Sequence, residues 1–389
     1  MSKKKKRFVL YYDNFEKEHL GKDVFLVPYH INKLYGFDVS IVYSQTITNK
    51  NFSTTYRGIK LKPLGKKILR ITYINFIKNF LFLIYLIINA RKIDILCLFN
   101  LYPFTMIFSI IYKILNPKGF LYVKADMGPQ SIEYHLLRSQ GIKKGSVKRF
   151  VKLTNLFTIE SKLGCRLMKQ VVKKEYEDKI QWMMDFFDEK EFEKTDIKIK
   201  DITQKENIIL IVGRLGSREK NTEMILKAAS KVDFKKWKLM LIGPVEENKT
   251  INFGKIIDQF YSDYPKLKNK VIFTGSIYNK KELWEYYNKS KVFLLTSRWE
   301  SFGIVLVEAL KFRNYIISTD VGGATDIINM GYGEFIPQED ETYLSKVIQR
   351  LIDNEDYIKK EYEKISWNDI DVSGETIVKN ATEKFFKGL

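Results

Sequence analysis

Short apolar runs alternate with helix-length segments along nearly the whole chain. In the N-terminal half, KIDILCLFN (92–100) is a continuous apolar run entered through Asp94, and FLYVKAD (120–126) is the next predicted strand. In the C-terminal half, NIILIVG (207–213), WKLMLIG (237–243) and KVIFTG (270–275) repeat the pattern, each ahead of a helical segment. Continuous apolar strands that alternate with helices are typical of parallel sheets covered by helices on both faces. The sequence therefore predicts an α/β protein built from doubly wound, Rossmann-like sheets.

The alternation is interrupted between residues 188 and 206, where the chain is charged and lacks an apolar period. A chain of 389 residues is long for one compact core and suits two α/β domains. We therefore predict four parts: an N-terminal domain over residues 1–190, a linker over 191–206, a C-terminal domain over 207–365 and a terminal segment over 366–389.

The chain is strongly basic, with 66 Lys and Arg residues against 46 Asp and Glu residues and a net charge of +20. Such an excess favours an anionic partner, which is a phosphate ligand, a membrane surface or a nucleic acid. The sequence contains no zinc-finger spacing, RRM-like aromatic motif or recognisable helix-turn-helix, so no nucleic-acid partner is predicted.

The cysteines and the N-terminal residues indicate the cellular compartment in which the protein works. Cys97 and Cys165 lie in apolar surroundings without CxxC or histidine spacing, which predicts neither a disulfide scaffold nor a metal site and fits a reducing cytosol. The N-terminal lysine run is not followed by an apolar stretch with a cleavage site, so no signal peptide is predicted.

Residues 71–90, ITYINFIKNFLFLIYLIINA, form the most apolar segment. Its uninterrupted core from Asn79 to Ala90 is shorter than the ~20 residues that a membrane span requires. We therefore predict a helix that is buried or lies in a membrane interface. Basic runs at 60–70 and 143–152 favour peripheral contact with an anionic membrane surface. A basic surface without membrane contact stays an open alternative.

Two cations follow the first strand of the C-terminal half. Gly213 ends the strand, Arg214 follows directly, and Lys220 stands at the start of the next helix. A planar guanidinium and an ammonium on one strand-to-helix loop suit a diphosphate, because they neutralise it and stabilise the charge that develops when it leaves. Taken alone, both residues are better explained as surface cations.

Another strand-to-helix loop carries a carboxylate. The strand KVFLLTS is followed by Glu300, at the mouth of a helix expected to begin near residues 301–303. Gly303 permits close approach of the backbone, and the free N–H groups of a first helical turn can hold phosphate. Glu308 can accept hydrogen bonds from a ribose diol, and a Gly-Gly pair at 322–323 adds backbone donors. Glu300 alone is also explained as a helix cap or dipole partner.

The spacing of these glutamates in ESFGIVLVE, with LLTSRW before it and ISTDVGGATDII after it, resembles the family-4 retaining glycosyltransferases of GT-B fold. VGRL followed by Lys220, and IFTGSI at 272–277, support the resemblance, which covers the C-terminal half well and the N-terminal half in outline. It implies two Rossmann-like domains facing a cleft, a terminal helix that crosses back to the N-terminal domain, and sugar transfer from a nucleotide-sugar with retention.

The resemblance also implies roles for individual residues. Arg214 and Lys220 would bind the donor diphosphate, Glu300 would contact hydroxyls of the sugar, and Glu308 would bind ribose. Gly275 and Ile277 would line the base pocket. The backbone of Ser301, Phe302, Gly303 and Ile304 would lie against the sugar and the phosphate. The donor would be a UDP- or GDP-linked sugar, and the hexosyl transfer would need no metal or other cofactor.

The N-terminal half departs from the family pattern. Where many members have a Gly-Gly pair after the first strand, this chain has only Gly21, which we assign to donor binding. Where many have a histidine, it has Lys124 and Asp126. Asp126 would act in catalysis by orienting the sugar or accepting the acceptor proton. A helix-cap or loop role for Asp126 stays equally open.

The predicted function is transfer of a sugar to a glycan or lipid-linked acceptor in cell-surface polysaccharide synthesis, by a cytoplasmic protein on the inner face of the membrane. Two alternatives stay open: a sugar-nucleotide epimerase of the same architecture, and a non-catalytic basic protein that binds membrane or nucleic acid. The glutamate pair and the apolar, basic N-terminal features disfavour the epimerase.

Overall fold

The computed structural model describes residues 5–46, 48–49, 51–65, 74–128, 132, 142–247 and 252–389. The chain forms two compact units. The N-terminal unit consists of Met1–Asp188 and Ser373–Leu389, and the C-terminal unit of Glu189–Val372. Each unit has its own largely parallel sheet, which confirms the predicted α/β fold class.

The elements follow one another along the chain as alternating strands and helices. The described strands are β1 (Arg7–Tyr11), β2 (Asp38–Ser44), β3 (Thr55–Tyr56), β4 (Ile59–Leu64), β5 (Ile95–Phe99), β6 (Phe120–Ala125), β7 (Leu156–Ile159), β8 (Ile180–Trp182), β9 (Glu206–Val212), β10 (Lys238–Ile242), β11 (Val271–Gly275), β12 (Ser290–Leu295), β13 (Tyr315–Thr319) and β14 (Gly333–Ile336). The described helices are α1 (Asp23–Tyr35), α2 (Ile74–Asn89), α3 (Pro103–Leu115), α4 (Ile142–Leu153), α5 (Lys162–Val171), α6 (Glu189–Phe192), α7 (Thr222–Ala229), α8 (Phe253–Asp263), α9 (Lys280–Lys289), α10 (Ile304–Lys311), α11 (Gly323–Asn329), α12 (Glu341–Asp353), α13 (Glu355–Glu363) and α14 (Gly374–Phe386).

The N-terminal sheet has the order β3-β4-β2-β1-β5-β6-β7-β8, with every neighbouring pair parallel except β3 and β4. The chain builds outward from β1 on one side and then, from β5, on the other side. The loops after β1 and β5 therefore part at the centre of the sheet. Ligands of open parallel sheets bind at such a topological switch point.

Helices cover both faces of this sheet. Phe82 of α2 and Phe108 of α3 belong to the apolar layer on one face, together with residues of α4 and α5. Phe25 of α1 and Phe386 of α14 belong to the layer on the other face. Burial of both faces explains why β5 is a continuous apolar run and does not alternate with polar residues.

The C-terminal helix α14 packs within the N-terminal unit. The Thr382 hydroxyl lies 2.8 Å from the Tyr35 hydroxyl of α1, and the Phe386 ring meets the Tyr35 ring edge-on. At the start of α14, a Cβ on Gly374 would clash with the His30 ring. Burial lowers the pKa of His30 to about 4, so this ring packs as a neutral group.

The C-terminal sheet is parallel, with the order β11-β10-β9-β12-β13-β14. Here the switch point lies between β9 and β12, which are neighbours at the centre of the sheet. The core includes Trp237, Leu239 and Leu294, each fully buried. Both motif-bearing loops, after β9 and after β12, leave the sheet at this switch point.

The stretch 191–206, which its composition predicts to be a linker, packs on the C-terminal unit. The Asn288 side chain makes two hydrogen bonds of 2.9 Å to its backbone. Lys205 is 6% exposed, and its ammonium donates to the carbonyls of Ser290 (3.0 Å) and Phe312 (2.7 Å). Composition does not distinguish a solvated segment from one whose polar groups find fixed partners.

The apolar segment 71–90 contributes helix α2, and its residues 71–73 lie outside the described part of the chain. Phe82 and Leu86 of α2 are fully buried against the sheet. None of the helices in the described ranges has both the length and the apolarity needed to cross a membrane.

Burial lowers the pKa of Lys205 from 10.5 to about 7. Between these values the unfolded chain holds a proton that the folded chain has released, so raising the pH stabilises the fold. We expect this group to raise the free energy of unfolding by up to about 1.4 kcal/mol per pH unit above pH 7. Urea denaturation of Lys205→Met should lack this contribution, while Lys198→Met, at an exposed lysine of the same stretch, should keep it. Equal slopes in both variants would contradict the assignment.

Candidate functional site

The loops after β9 and β12 bring Lys220 and Glu300 together as an ion pair at the central carboxyl edge of the C-terminal sheet. The Ser297 hydroxyl donates a hydrogen bond of 2.6 Å to the paired oxygen of Glu300. The Thr296 hydroxyl donates to the Lys220 carbonyl at 3.0 Å. Because the side chains of Lys220 and Glu300 are only 19% and 11% exposed, a shielded pair of charges stands at the switch point.

Glycines let neighbouring backbone pack close to this pair. A Cβ on Gly213 would lie 3.5 Å from the Lys220 side chain, so the lysine stem passes over bare backbone. Gly322, in the loop after β13, adopts φ +48°, and a Cβ there would lie 2.8 Å from Glu300. The loop after β13 therefore packs directly against the Glu300 loop and supports it.

The loop after Glu300 ends in a left-handed residue. Gly303 has φ +97° and directly precedes Ile304, the first residue of α10, so the helix starts just beyond the expected residues. Ser301 and Ile304 are half-buried. Phe302 is 1% exposed and its ring packs against Gly323. The Phe302 side chain thus anchors the loop in the core, and only its backbone is available for a donor.

Arg214 occupies the same loop as Lys220. The structure pairs its guanidinium with Glu219 and places it 3.8 Å from Glu246. Its side chain is 57% exposed. The guanidinium therefore lies at the surface of the loop, held by two flexible carboxylates.

Glu308, on α10, is buried and already bonded. One of its carboxylate oxygens accepts hydrogen bonds from the Lys280 ammonium at 2.8 Å and from the Trp284 indole at 3.1 Å. Both partners lie on α9. The residue predicted to bind ribose therefore also ties α9 to α10.

The predicted base-pocket residues lie at the end of β11. Gly275 has φ +74° and its carbonyl accepts the Gly243 N–H at 2.9 Å. Ile277 is half-buried, and Tyr278 beside it is 91% exposed. Because β10 lies between β11 and β9, these residues stand further from the switch point than the ion pair does.

At the carboxyl edge of the N-terminal sheet, Lys124 is buried among carboxylates. It is 1% exposed, its ammonium lies 2.7 Å from a Glu160 oxygen, and it contacts Asp23 at the start of α1. Carboxylate oxygens of Asp23, Glu160 and Asp185 lie within 4.8 Å of one another. Oxygens at this spacing suit a divalent cation, but the Lys124 ammonium already supplies a positive charge here. Asp126 follows Lys124 by two residues and stands next to this carboxylate cluster.

Of the charged residues at this edge, Lys124 and Asp126 were identified from the sequence as site candidates, whereas Asp23, Glu160 and Asp185 were not. A signal was present, because Glu160 directly follows β7 and Asp185 comes soon after β8. The carboxyl ends of neighbouring parallel strands meet at one edge of a sheet, so acids at these places converge.

The excess of carboxylates changes protonation in the cluster. Burial acts to lower the pKa of Lys124, but the Asp23 and Glu160 carboxylates raise it well above its ordinary value. Burial and then Asp185 raise the pKa of Glu160 well above its usual range. Burial and then Asp23 raise the pKa of Asp185 from 3.8 to about 7. Near neutral pH the cluster therefore keeps a carboxyl proton beside a charged ammonium.

Gly21 ends a short turn, Lys17–Gly21, ahead of α1. Among the described residues, no atom lies within 4 Å of the place that a Cβ on Gly21 would take, so packing against them does not require glycine. On the same turn, His19 has a pKa lowered by burial, and its Nδ1 accepts the Glu16 N–H at 2.8 Å. Gly21 and Asp126 belong to the N-terminal unit, whereas the other predicted site residues belong to the C-terminal unit.

A cavity of about 520 Å³ opens at the switch point of the N-terminal sheet. Asp13 and Asn14 line it from the loop after β1, and Asn100, Tyr102 and Phe104 line it from the loop after β5 and the start of α3. None of these residues was identified from the sequence, although the strands that precede them were.

Asn100 combines two unusual features. Its backbone adopts φ +62°, which is uncommon for a residue other than glycine, and its N–H donates to the Lys124 carbonyl at 2.8 Å. Its side-chain oxygen is buried without a hydrogen-bond partner among the described residues. A left-handed residue with an unsatisfied oxygen on a cavity wall is a candidate for ligand binding.

The raised pKa of Asp185 gives a testable pH dependence. Because its folded pKa of about 7 exceeds the unfolded value near 4, the folded state binds more protons between these values, and stability falls as the pH rises through this window. Asp185→Asn should remove this fall and be at least as stable as the wild type at pH 8 in thermal denaturation. Asp178→Asn, at an exposed acid of the same unit, should follow the wild type. A less stable Asp185→Asn at pH 8 would contradict the assignment.

Comparisons with known proteins extend these observations. Residues 192–369 match the family described as Glycosyl transferases group 1. Over 130 residues the chain is 32% identical to a 41.2 kDa protein in the cps region of Klebsiella pneumoniae, covering 33% of this chain and 32% of the relative. Over 179 residues it is 27% identical to the amylovoran biosynthesis glycosyltransferase AmsD of Erwinia amylovora, covering 45% and 47%. The chain thus spans less than half the length of these relatives.

The fold as a whole is similar to that of HepE from Anabaena, solved in complex with UDP, with a TM-score of 0.70 at 14% identity over 99% of this chain and 100% of that chain. Another structure of HepE contains UDP-glucose. At this identity the likeness concerns the fold, which is GT-B. The match to the group 1 glycosyltransferase family covers the loops that hold Arg214, Lys220 and Glu300.

Proposed function

We propose that the protein is a retaining, metal-independent glycosyltransferase that moves a hexosyl group from a UDP- or GDP-linked donor to a glycan or lipid-linked acceptor. The family match and the relatives from a cps region and from amylovoran biosynthesis support a role in cell-surface polysaccharide synthesis. The UDP-glucose bound to HepE supports a nucleotide-sugar donor.

The observation that carries the proposal is the ion pair of Lys220 and Glu300 at the switch point of the C-terminal sheet. The residues come from separate loops and meet where parallel sheets bind their ligands. In the absence of donor, each neutralises the other. When a donor binds, the ammonium turns to the diphosphate, and the Glu300 carboxylate accepts hydrogen bonds from hydroxyls of the sugar.

Arg214 completes the diphosphate site in this proposal. Its exposed guanidinium is paired with Glu219 and lies near Glu246. It can leave these partners and bind two phosphate oxygens at once. Backbone N–H groups at the start of α10, beyond the left-handed Gly303, add donors for the same anion. Glu308, Gly275 and Ile277 stay predictions for the ribose and base contacts.

The proposed reaction breaks the bond between the anomeric carbon and the leaving phosphate oxygen and forms a bond from that carbon to an acceptor hydroxyl on the same face. Lys220 and Arg214 stabilise the charge that develops on the diphosphate. The acceptor proton passes either to the departing phosphate oxygen or to Asp126. Asp126 either orients the sugar or takes this proton, and its position beside the carboxylate cluster keeps both roles within the proposal.

We place the acceptor in the cavity of the N-terminal unit. Asp13, Asn14 and the unpaired oxygen of Asn100 offer hydrogen-bond partners for hydroxyls, and Tyr102 and Phe104 offer flat apolar faces for a sugar ring. The basic surface and the relatives in surface-polysaccharide synthesis support work at the inner face of the membrane.

Removal of either member of the ion pair should abolish most of the activity. We expect Lys220→Ala and Glu300→Gln to lower kcat/KM for sugar transfer by about 10²–10³-fold, because each removes a group that contacts the donor as charge develops. The measurement is release of UDP or GDP from a panel of nucleotide-sugars. Lys231→Ala, at an exposed lysine of the same unit that lies 3.6 Å from Glu341, should retain wild-type turnover.

Failure of every UDP- and GDP-linked sugar to bind the wild-type protein in calorimetry would overturn the proposed function. Wild-type activity in Glu300→Gln would overturn the role of the ion pair alone. Conversion of a nucleotide-sugar to its epimer without an acceptor would favour the epimerase.

The acceptor cavity makes a separate prediction. Asn100→Ala should raise KM for the acceptor by about 10-fold, the effect of losing one or two hydrogen bonds to a ligand, and should leave donor hydrolysis in the absence of acceptor unchanged. Asn368→Ala, on an exposed turn of the C-terminal unit, is the matched control. An equal loss of donor hydrolysis and transfer in Asn100→Ala would show that the residue acts on the fold and not on the acceptor.

A further inference from the structure

Two neighbouring helices of the N-terminal unit expose apolar side chains to solvent. On α2, one stripe at helical spacing consists of Phe80 (52% exposed), Ile84 (40%), Ile87 (55%) and Ile88 (67%). The opposite face of this helix is buried against the sheet. An amphipathic surface helix normally turns polar residues outward, so α2 presents the reverse of the expected surface.

Helix α3, which packs beside α2, continues this surface. Phe104 (37% exposed), Ile107 (45%) and Ile114 (69%) form a stripe along its outer side. Together the two helices hold seven of the fifteen large apolar side chains that are exposed in the described parts of the chain. We call these seven residues of α2 and α3 the apolar face.

Cations surround the apolar face. Arg91 and Lys92 follow α2 and are exposed, and Lys148 and Arg149 are exposed on α4, which packs against α3. Over residues 74–118 and 142–155 the sequence contains a single acid, Asp94; its carboxylate accepts the Arg7 N–H at 2.7 Å. The layer of α2, α3 and α4 is therefore apolar at its centre and cationic around it.

A second cavity lies in the same layer, between α4 and the segment that follows α5. It has a volume of about 330 Å³ and an apolar lining with several valines, and its charged lining residues are Lys148, Arg149, Lys152, Lys173 and Glu175. Four ammonium or guanidinium groups against one carboxylate suit an anionic head group, and the apolar lining suits the hydrocarbon next to it.

We infer that the apolar face and its surrounding cations dock the protein on an anionic phospholipid bilayer, with α2 and α3 lying in the interface between head groups and acyl chains. Apolar residues that enter the interface and basic residues that attract anionic lipid are the two parts of such binding. A second copy of the chain fits less well, because self-association would bring the two cationic borders together.

The same docking brings the acceptor cavity to the lipid. Asn79 of α2 and Phe104 of α3 line that cavity, so helices in the interface place its wall at the bilayer surface. The inference rests on the proposed function for its purpose, which is access to a lipid-linked acceptor. Its physical basis is the apolar face with its surrounding cations, which does not depend on that function.

Co-sedimentation with vesicles tests the inference on the full-length protein. The wild type should bind phosphatidylcholine vesicles that contain phosphatidylglycerol at least about ten-fold more strongly than phosphatidylcholine alone. Two double variants should each weaken binding at least about ten-fold. Ile87→Asp/Ile88→Asp places negative charge in the apolar face, and Lys148→Glu/Arg149→Glu reverses the charge of two cations next to it. All variants should keep the circular dichroism spectrum of the wild type.

Matched controls lie in the C-terminal unit. Ile256→Asp/Met330→Asp changes two apolar residues that are 40% and 41% exposed, and Lys266→Glu/Lys268→Glu reverses two exposed cations; both should bind vesicles as the wild type does. Folded docking variants that bind like the wild type would overturn the inference. So would a wild-type dimer that ignores vesicles and dissociates in Ile87→Asp/Ile88→Asp, since a second copy would then cover the face. Nucleotide-sugar binding, measured in parallel, tests the proposed function independently and should be the same in all four variants.

Discussion

Each unit of this protein depends on one topological constraint, the point at which a parallel sheet changes its direction of growth. The loops that leave the two strands at this point diverge, so no helix covers the edge between them. In the C-terminal unit this opening holds the ion pair of Lys220 and Glu300. In the N-terminal unit it forms the cavity lined by Asn100. The helices on both faces supply the buried apolar area that keeps these openings in shape.

The two sheet edges carry different electrostatics. In the C-terminal unit one ammonium meets one carboxylate, both largely shielded from solvent, and in the proposed function a diphosphate replaces the carboxylate as the partner of the ammonium. In the N-terminal unit Lys124 is buried with Asp23, Glu160 and Asp185. Burying several carboxylates with one ammonium costs stability unless a proton is retained, and the raised pKa values of Glu160 and Asp185 express this cost. The charged groups at the N-terminal edge are therefore held to one another, whereas the ammonium at the C-terminal edge can exchange its partner in the proposed function.

Local patterns predicted more of the C-terminal unit than of the N-terminal unit. The loops with Arg214, Lys220 and Glu300 directly follow apolar strands, and their glycines mark where a backbone must approach a neighbour, so the sequence spacing indicates position. The carboxylate cluster and Asn100 were not predicted, because none of these residues stands out within its own segment of the sequence. The segment 191–206 shows the same limit, since the buried Lys205 cannot be distinguished by composition from the exposed lysines around it.

The sequence by itself determined the alternation of strands and helices, the parallel character of the sheets and the motif residues of the C-terminal loops, because apolar periodicity and glycine positions are local properties of a chain. Only the tertiary structure decided which distant residues meet. Lys220 meets Glu300, and Lys124 meets three acids, because strand order brings these positions to one edge of a sheet. Glu308 bonds to α9 because α9 and α10 pack together. Strand order and helix packing are properties of the folded unit as a whole.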